Sequence, residues 1–332
     1  MCVAFAQDTT RTATLLAFGD VNLGRSVGQE LLKGNLSYPF DSLGAAFAFA
    51  DIVFANLESQ LTDQKGETQH PQYNLIFCGP PQGAQSLKQA GFNIVSTANN
   101  HAFDYKLRAL KETIRNLGEA GISFVGTNAH GNSRFAPVFI EKNGIRFGFA
   151  AYTLFVNSKK GWRGYISDFD TARIRRELRI LRDSSDVVVA SYHGGKEYVD
   201  RPDVETDRHL KFLADAGADV VLGHHPHVPQ GIERYNGSWI FKSLGNFVFY
   251  QPQLEWTQKS FGVRLKVEKN NSRVRINAVS VLPLRASRQP SFSLTPLEVE
   301  QVRVRLQKLS NVELRSGSNA AVNNSELEIQ IH

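Results

Sequence analysis

Short apolar runs alternate along the chain with amphipathic stretches, and the apolar runs have the length of buried strands. Seven of them occur in the first 242 residues: Ala13–Phe18, Asp51–Ala55, Asn93–Ala98, Phe147–Tyr152, Val187–Tyr192, Val220–Leu222 and Trp239–Lys242. Strands that alternate with helices in this way are typical of an α/β sandwich. The pattern therefore predicts that fold class.

The amphipathic stretches predict helices at Tyr105–Ala120, Thr171–Arg182, Val204–Ala216 and Leu297–Leu309. The first ends at Gly121 and the third at Gly217, both suited to a helix C-terminus, and Asp170 is the expected N-cap of the second. From Phe261 to Val281 apolar and polar residues alternate, which predicts an antiparallel hairpin that turns at Asn270-Asn271.

The composition is that of a globular protein. The chain has 332 residues, of which 42% are hydrophobic and 21% charged, enough for one large domain or two small ones and incompatible with disorder or fibrous repeats in the bulk. Two cysteines, Cys2 and Cys78, exclude a disulfide scaffold and a cysteine-type zinc site. No apolar run approaches the ~20 residues that span a bilayer.

The two ends of the chain differ in character from the rest. Ala4-Phe5-Ala6 is similar to the cleavage end of a secretory signal, although no basic segment precedes it. We interpret 1–12 as a leader or signal-peptide remnant and expect an exported or cell-envelope protein, or a cytoplasmic one if the start at Met1 is genuine. The tail, 311–332, is expected to be disordered, because Ser316–Asn324 is small and polar.

Positive charge is concentrated towards the C-terminus. Trp256–Arg315 contains 12 Lys and Arg against 4 Asp and Glu, a local charge of +8, whereas the whole chain carries +6. The segment 251–310 is therefore expected to be a basic, β-rich extension that packs on the same domain. Its charge indicates either an ordinary solvated strand face or a surface for a polyanion or anionic membrane. Nucleic acid is excluded as a partner, because aromatic residues do not interleave with the basic ones.

Polar side chains follow six of the predicted strands, where each strand ends. The segments are Gly19-Asp20-Val21-Asn22, Asn56-Leu57-Glu58, Asn99-Asn100-His101 with Asp104, His193-Gly194-Gly195, Gly223-His224-His225-Pro226-His227 and Ser243-Leu244-Gly245-Asn246. Ligands of α/β sheets bind at the carboxyl ends of the strands. These residues are therefore expected to converge on one rim.

The donor atoms of that rim favour metal binding. Carboxylates, amide oxygens and imidazoles form a mixed oxygen and nitrogen set that suits Mn, Fe, Zn or Mg. His225 and His227, two residues apart after a strand, can face one side. Structural alternatives exist: Asp20 and Asn22 as an Asx turn, Asn99-Asn100 as a loop cap, Gly245-Asn246 as a tight turn and His193 as a core histidine. All would have to hold at once, so a metal site is favoured.

The ordered motifs resemble those of the bacterial capsule-synthesis CapA family. They are Gly19-Asp20 with Leu23-Gly24-Arg25, Asn56-Leu57-Glu58, Ala98-Asn99-Asn100-His101 with Asp104-Tyr105, His193-Gly194-Gly195 with Glu197-Tyr198, Gly223-His224-His225-Pro226-His227-Val228, Gln230-Gly231-Ile232-Glu233 and Ser243-Leu244-Gly245-Asn246-Phe247-Val248-Phe249. The resemblance covers about 14–250 and implies one domain at 13–250. It also implies a role in poly-γ-glutamate biosynthesis and a metallophosphatase-like α/β/β/α sandwich with mixed sheets.

The resemblance extends to calcineurin-like metallophosphoesterases and implies a site that holds one or two divalent metal ions. The implied metal ligands are Asp20, Asn22, Glu58, Asn100, His193, His225 and His227. Two positions depart from the wider pattern: Asn22 stands where a histidine is usual, and Glu58 stands where a bridging aspartate is usual. An asparagine carbonyl is a weaker ligand than an imidazole, so one metal site is expected to be looser or empty.

Further roles follow from this assignment. His101, oriented by Asp104, is expected to donate a proton to the leaving group, and the residues expected to meet the substrate are Arg25, Lys196, Glu197 and Asn246. The expected activity is that of a metal-dependent hydrolase or transferase acting on a phosphoester or a γ-glutamyl polymer. Membrane-bound subunits of a polymer synthase are the implied partners.

A second hypothesis is a non-catalytic component of polymer synthesis or export that binds a polyanion through the basic segment. Other enzyme classes lack support, because the chain has no Gly-x-Ser-x-Gly motif, no P-loop and no Gly-x-Gly-x-x-Gly motif.

Overall fold

The computed structural model describes residues 10–132, 135–271, 273–317 and 325–330. The strands in chain order are β1 (Arg11–Val21), β2 (Ile52–Leu57), β3 (Gln60–Leu61), β4 (Cys78–Gly79), β5 (Ile94–Ser96), β6 (Ser123–Val125), β7 (Val138–Lys142), β8 (Ile145–Thr153), β9 (Val187–His193), β10 (Val220–His224), β11 (Ile232–Tyr235), β12 (Ser238–Phe241), β13 (Asn246–Val248), β14 (Lys259–Asn270), β15 (Arg273–Arg285), β16 (Leu314–Ser316) and β17 (Leu327–Ile329). The helices are α1 (Arg25–Leu32), α2 (Gly44–Phe47), α3 (Gln82–Ala90), α4 (Lys106–Glu119), α5 (Thr171–Ser184), α6 (Val204–Asp215) and α7 (Pro296–Leu309), with a 3₁₀ turn at Glu255–Thr257.

Two mixed sheets form the centre of the fold. The first has the strand order β16-β17-β15-β14-β1-β2-β5-β6, and β13 also pairs with β1. In it β1, β2, β5 and β6 run parallel, whereas β14 and β15 form an antiparallel hairpin beside β1. The second sheet has the order β11-β12-β10-β9-β8-β7, with parallel strands in the middle and antiparallel strands at both edges.

The alternation of side chains within the strands divides the core into three layers. One cluster fills the space between the two sheets, with Leu15 and Phe54 from the first sheet and Phe147 and Val189 from the second. The opposite face of the first sheet packs on α1, α3 and α4, and that of the second on α5 and α6. The arrangement is an α/β/β/α sandwich with mixed sheets and a C-terminal antiparallel hairpin, which confirms the predicted fold class.

Most elements that the periodicity predicts are present. All seven predicted strands and all four predicted helices occur, with shifted ends. Asp170 accepts a hydrogen bond from the Arg173 backbone N–H at the start of α5, as expected of an N-cap. Gly121, after α4, has a φ of 69°, the left-handed conformation that suits glycine. The strand β14 pairs with β1, so the basic extension continues the first sheet.

The ends of the chain differ from the expectation. The expected leader, 1–12, overlaps β1, which begins at Arg11, and 1–9 lie outside the described residues. The expected disordered tail, 311–332, contains β16 and β17, and β17 pairs with β15 through Leu327 and Glu328, so disorder is wrong for these strands. The buried side chains of Leu314, Leu327 and Ile329 supply the physical reason, because they pack against the central core. The remaining tail residues, 318–324 and 331–332, lie outside the described part.

None of the helices among the described residues has the length and hydropathy needed to cross a bilayer.

Candidate metal centre

The polar strand ends of the two sheets meet at one place. Asp20 lies near the end of β1 and Glu58 directly follows β2, both in the first sheet; His193 ends β9, and His225 and His227 follow β10 in the second sheet. The packing of the sheets face to face brings these five side chains together, and all are buried.

Close approach of two chain segments helps to form the site. The Asp20 backbone N–H donates to the Gly245 carbonyl at 3.0 Å. A Cβ atom on Gly19 would lie 1.8 Å from that same oxygen, so β1 and the segment before β13 can meet here only because position 19 has no side chain.

Glu58 lies at the centre of the group. Its Oε1 is 3.8 Å from His193 Nε2, 3.8 Å from His227 Nε2 and 4.0 Å from His101 Nε2. Neither carboxylate oxygen has a hydrogen-bond partner among the described residues, although the side chain is fully buried. Burial, followed by the negative charge of Asp20, raises the pKa of Glu58 well above its usual range. A buried, unpartnered carboxylate is costly unless a cation neutralises it.

Asp20 has well-defined partners. Asn56 Nδ2 donates to its Oδ1 at 2.8 Å, and the Nδ1 atoms of His224 and His227 lie 3.3 Å from its two oxygens. Burial would raise the pKa of Asp20, but the nearby imidazoles of His224 and His227 outweigh it and hold that pKa well below the usual range. Asp20 is therefore a carboxylate at neutral pH.

Two of the histidines, His193 and His225, are held as neutral imidazoles. Burial lowers the pKa of His193 well below its usual range, and burial together with the neighbouring His227 ring lowers the pKa of His225 to about 3. His193 Nε2 lies 2.7 Å from Asn100 Oδ1, and His227 Nδ1 lies 2.9 Å from Asn246 Oδ1. A neutral imidazole offers a lone pair, which is the form that binds a metal ion.

Three overlapping groups of side chains have potential ligand atoms that all lie within 4.8 Å of one another. The groups are Glu58, His193, His225; Asp20, Glu58, His227; and Glu197, His225, His227. Glu58, His225 and His227 each belong to two of them, and Glu58 is the only carboxylate that two groups share. The unpartnered carboxylate and the neutral imidazoles form a donor set that fits a divalent ion such as Mn, Fe, Zn or Mg.

His101 and Asp104 form a pair at the edge of the group. His101 Nδ1 lies 2.8 Å from Asp104 Oδ2, and the imidazole stacks on Phe77 with ring centroids 4.2 Å apart. Asp104 also accepts from the Phe77 backbone N–H at 3.2 Å. The pair fixes the ring so that Nε2 faces Glu58.

Other expected site residues lie in different settings. Asn22 Oδ1 accepts from the Gly24 N–H at 2.8 Å, the Asx-turn alternative that the sequence leaves open. Asn246, expected to meet substrate, is fully buried and holds the His227 ring.

The charged residues expected to meet substrate also differ in their surroundings. The Lys196 side chain is 71% exposed, and its Nζ lies 3.9 Å from an oxygen of Asp203, the N-cap of α6. Arg25 lies over the Phe77 ring, and Glu197 belongs to one of the three groups.

Two contributors were missing from the expected set. Asn56 links Asp20 to His193, because its amide also lies 3.2 Å from His193 Nδ1. His224 contacts Asp20, and neither of its ring nitrogens has a hydrogen-bond partner in the described chain. Both belong to the polar strand ends, so their positions in the sequence could have predicted that they lie at the site.

The backbone conformation of two ligands could not be predicted from the sequence. His225 and His227 have positive φ angles of 97° and 58°, which are uncommon for residues other than glycine.

Comparison with known proteins gives a family and distant structural likenesses. The family model "Bacterial capsule synthesis protein PGA_cap" matches residues 14–251. The capsule biosynthesis protein CapA of Bacillus anthracis is 30% identical over 253 residues, covering 74% of this chain and 61% of that protein. The PGA biosynthesis protein CapA of Bacillus subtilis (strain 168) is 29% identical over 294 residues, covering 85% of this chain and 70% of that protein. The chain thus spans less than two thirds of the length of the Bacillus anthracis relative.

Among solved structures, a hypothetical protein from Thermus thermophilus has a TM-score of 0.49 at 17% identity, covering 82% of this chain and 99% of that one. The calcineurin-like phosphoesterase YfkN from Bacillus subtilis has a TM-score of 0.45 at 16% identity, covering 83% and 91%.

Proposed function

The chain belongs to the PGA_cap family of bacterial capsule synthesis proteins, and from this premise we propose that its strand-end site binds one or two divalent metal ions and is a hydrolase or transferase centre. The proposed substrate is a phosphoester or a γ-glutamyl bond of an anionic polymer. The proposed setting is the cell envelope, beside membrane-bound subunits of a polymer synthase.

The observation that carries the proposal is the state of Glu58. A fully buried carboxylate without a hydrogen-bond partner among the described residues lies within 4.0 Å of three imidazole nitrogens. A structural acid would be hydrogen-bonded, because leaving a buried charged group unsatisfied is costly. A divalent ion bound by Glu58 and its neighbours would remove that cost.

Each residue has a proposed part. The proposed ligands are Asp20, Glu58, His193, His225 and His227, with Asn100 and Glu197 beside them. A divalent ion bound there would polarise an oxygen atom of the substrate or lower the pKa of a water molecule. Asn246 and Asn56 hold the rings of His227 and His193 in place, as groups behind metal ligands commonly do.

His101 is the proposed proton donor. Its Nδ1 is engaged by Asp104 at 2.8 Å, which leaves Nε2 as the atom that faces the centre. A proton on Nε2 can pass to the leaving-group oxygen or nitrogen of a substrate bound at that side, and Asp104 stabilises the charge of the protonated ring. The Phe77 ring excludes water from one face of the imidazole.

The alternative function is a non-catalytic component that binds an anionic polymer. Two exposed basic residues on the hairpin, Lys266 and Arg273, favour it, because they have no ion-pair partner in the part of the chain that the structure describes. This role needs no turnover at the strand-end site.

The decisive experiment measures the metal content of the purified chain together with phosphodiesterase and γ-glutamyl hydrolase activity. We expect bound metal in at least one equivalent, and turnover of one substrate class that a chelator abolishes and added metal restores. A chain that binds no divalent ion at saturating concentration contradicts the proposal, and a metal-loaded chain without turnover favours the alternative.

A further inference from the structure

A small cavity next to the metal centre contains two arginine side chains. Its volume is about 250 Å³, and Arg25 and Arg288 are among its lining residues. No acidic residue lines it within the described chain. The residue Arg288 lies beyond the 14–251 segment that the family model matches, and nothing in the sequence pattern indicated it.

The cavity adjoins the metal centre through shared walls. Phe249 lines the cavity, and its ring centroid lies 4.9 Å from that of His227. The guanidinium carbon of Arg25 lies 4.8 Å from the centroid of the Phe77 ring, and Phe77 stacks on His101. Phe249 therefore separates the cavity from His227, and Phe77 separates Arg25 from His101.

Arg288 is held in one orientation. Its guanidinium carbon lies 3.8 Å from the centroid of the Tyr250 ring, and its Nε donates to Ser26 Oγ at 2.8 Å. These contacts fix the plane of the guanidinium, whereas its two terminal amino groups have no hydrogen-bond partner in the described structure. A guanidinium fixed in this way is arranged for bidentate binding of an oxyanion.

Arg25 is the second positively charged side chain of the cavity. One terminal nitrogen, Nη2, donates to the Asn74 carbonyl at 2.8 Å, and the buried Nε has no partner among the described residues. Neither arginine forms an ion pair with a described carboxylate. Two positive groups thus share one small cavity without a counter-ion from the described chain, an arrangement that favours binding of an anion.

We propose that this cavity is an oxyanion subsite in which Arg25 and Arg288 bind a carboxylate or phosphate group of the substrate. Binding of the anion itself is independent of the metal centre. Its use in orienting a substrate towards His101 and Glu58 rests on the proposed function. A γ-linked glutamyl chain supplies a carboxylate at each residue, and a phosphoester supplies phosphate, so both proposed substrate classes contain the required group.

The test is anion binding by the full-length chain, measured by isothermal titration calorimetry with two probes, inorganic phosphate and γ-glutamylglutamate. Arg288→Gln is expected to raise the dissociation constant of at least one probe about tenfold or more, because it removes a charged, bidentate partner. Arg288→Lys, which keeps the charge but not the fork, is expected to give an intermediate loss. Each chain is measured as purified and after chelation, so that binding to metal is separated from binding to the cavity.

Arg146→Gln is the matched control. Arg146 is also an exposed arginine, stacked on Phe139 at 4.2 Å, and it lies outside the cavity. Affinity for both probes that is unchanged in Arg288→Gln, or that falls equally in Arg146→Gln, overturns the subsite. Dependence on Arg288 for phosphate alone identifies a phosphate-bearing substrate, and dependence for γ-glutamylglutamate alone identifies a carboxylate.

The two proposals fail in different ways. Anion binding that depends on Arg288 in a chain without turnover contradicts the enzymatic function and leaves the subsite supported. Turnover whose KM and kcat are both unchanged by Arg288→Gln supports the enzymatic function and overturns the subsite.

Discussion

At the scale of single residues, the buried carboxylate of Glu58 dominates the electrostatics of the site. Its raised pKa and the lowered pKa values of His193 and His225 have a common first cause, burial, which disfavours each charged form. Without a cation the group is a set of desolvated polar side chains that oppose folding. When a cation is bound, the same burial strengthens the electrostatic interaction of each side chain with the ion.

Glu58→Gln is expected to lower the metal content of the purified chain strongly, because it removes the carboxylate shared by two candidate ligand groups. Inductively coupled plasma mass spectrometry checks this. After chelation the variant should melt no lower than the parent, since glutamine carries no buried charge. Asp104→Asn is the matched control, because it changes a nearby carboxylate outside those groups, and it should retain metal. Unchanged metal in Glu58→Gln would contradict the bridging role.

His101→Asn is expected to reduce kcat by ~10²–10⁴-fold while metal remains bound, the usual contribution of a positioned general acid. Asp104→Asn should reduce kcat less, because the imidazole stays and only its orientation and charge stabilisation are weakened. Steady-state kinetics and metal analysis on the same preparations check both. Loss of metal from His101→Asn would make His101 a ligand instead of a proton donor.

The sequence locates these residues because the ends of parallel strands share one edge of a sheet. It does not distinguish ligands from their supports: Asn246 holds His227 instead of lining the open site, and Asn56 joins two ligands. That distinction depends on side-chain directions, which the backbone angles of single residues such as His225 set.

At the scale of elements, the long periodic segments were predictable, whereas many of the short ones were not. β1, β8, β14 and α5 each contain enough residues to establish a period. By contrast, β16 and β17 have three residues each and depend on pairing rather than on a pattern of their own, because β17 pairs with β15 and β16 pairs with β17. Their neighbours in sequence are small and polar, which indicates disorder unless the paired strand is known.

The start of α7 offers a test of how one cap contributes to stability. Thr295 and Glu298 form a capping box, and Glu298 also pairs with Arg285. The bond with Arg285, followed by that of the Thr295 backbone N–H, lowers the pKa of Glu298 from 4.5 to about 2. A lowered pKa in the folded state means that the stabilisation is complete above the unfolded value and is lost as the pH falls towards the folded one.

Glu298→Gln is therefore expected to lower the free energy of unfolding by about 1 kcal/mol at pH 6, and the difference from the parent should shrink as the pH falls from 4.5 towards 2. Urea unfolding followed by circular dichroism checks this. Glu119→Gln, at a side chain that is 70% exposed, is the control, and its free energy of unfolding should stay close to that of the parent. If the difference between Glu298→Gln and the parent stays constant with pH, the carboxylate charge does not stabilise the cap.

At the scale of the whole molecule, ion pairs formed on folding neutralise much of the positive charge of the basic segment. Eight of the twelve Lys and Arg residues between Trp256 and Arg315 form ion pairs: Lys259, Arg264, Lys269, Arg275, Arg285, Arg303, Arg305 and Arg315. Several partners, such as Asp186 for Lys269 and Asp200 for Arg305, come from distant parts of the chain. A local charge count cannot include them, so the sequence overstates the free positive charge.

The remaining free charge of the hairpin permits a test that separates the two functions. Lys266 and Arg273 lie on the solvent face of β14 and β15, where polar and apolar side chains alternate as predicted. Reversing Arg264 as well would place a second negative charge beside the buried Glu326 and would disturb folding. The double variant Lys266→Glu/Arg273→Glu avoids this.

Turnover of a small substrate by this double variant is expected to stay within about twofold of the parent. Lys266 pairs with Thr14, which lies six positions before Asp20 on β1. Lys269, which is near the hairpin turn and close to Arg273, pairs with Arg11, nine positions before Asp20. The reversed charges therefore lie about 20–30 Å along the strands from the site. Screening at ~0.15 M salt acts over roughly 8 Å, which isolates the site from them. Kinetics and poly-γ-glutamate binding are measured on one preparation across a range of salt. If the chain instead works as a polymer-binding component, polymer affinity should fall steeply with salt and fall further in the double variant, while the parent shows no turnover.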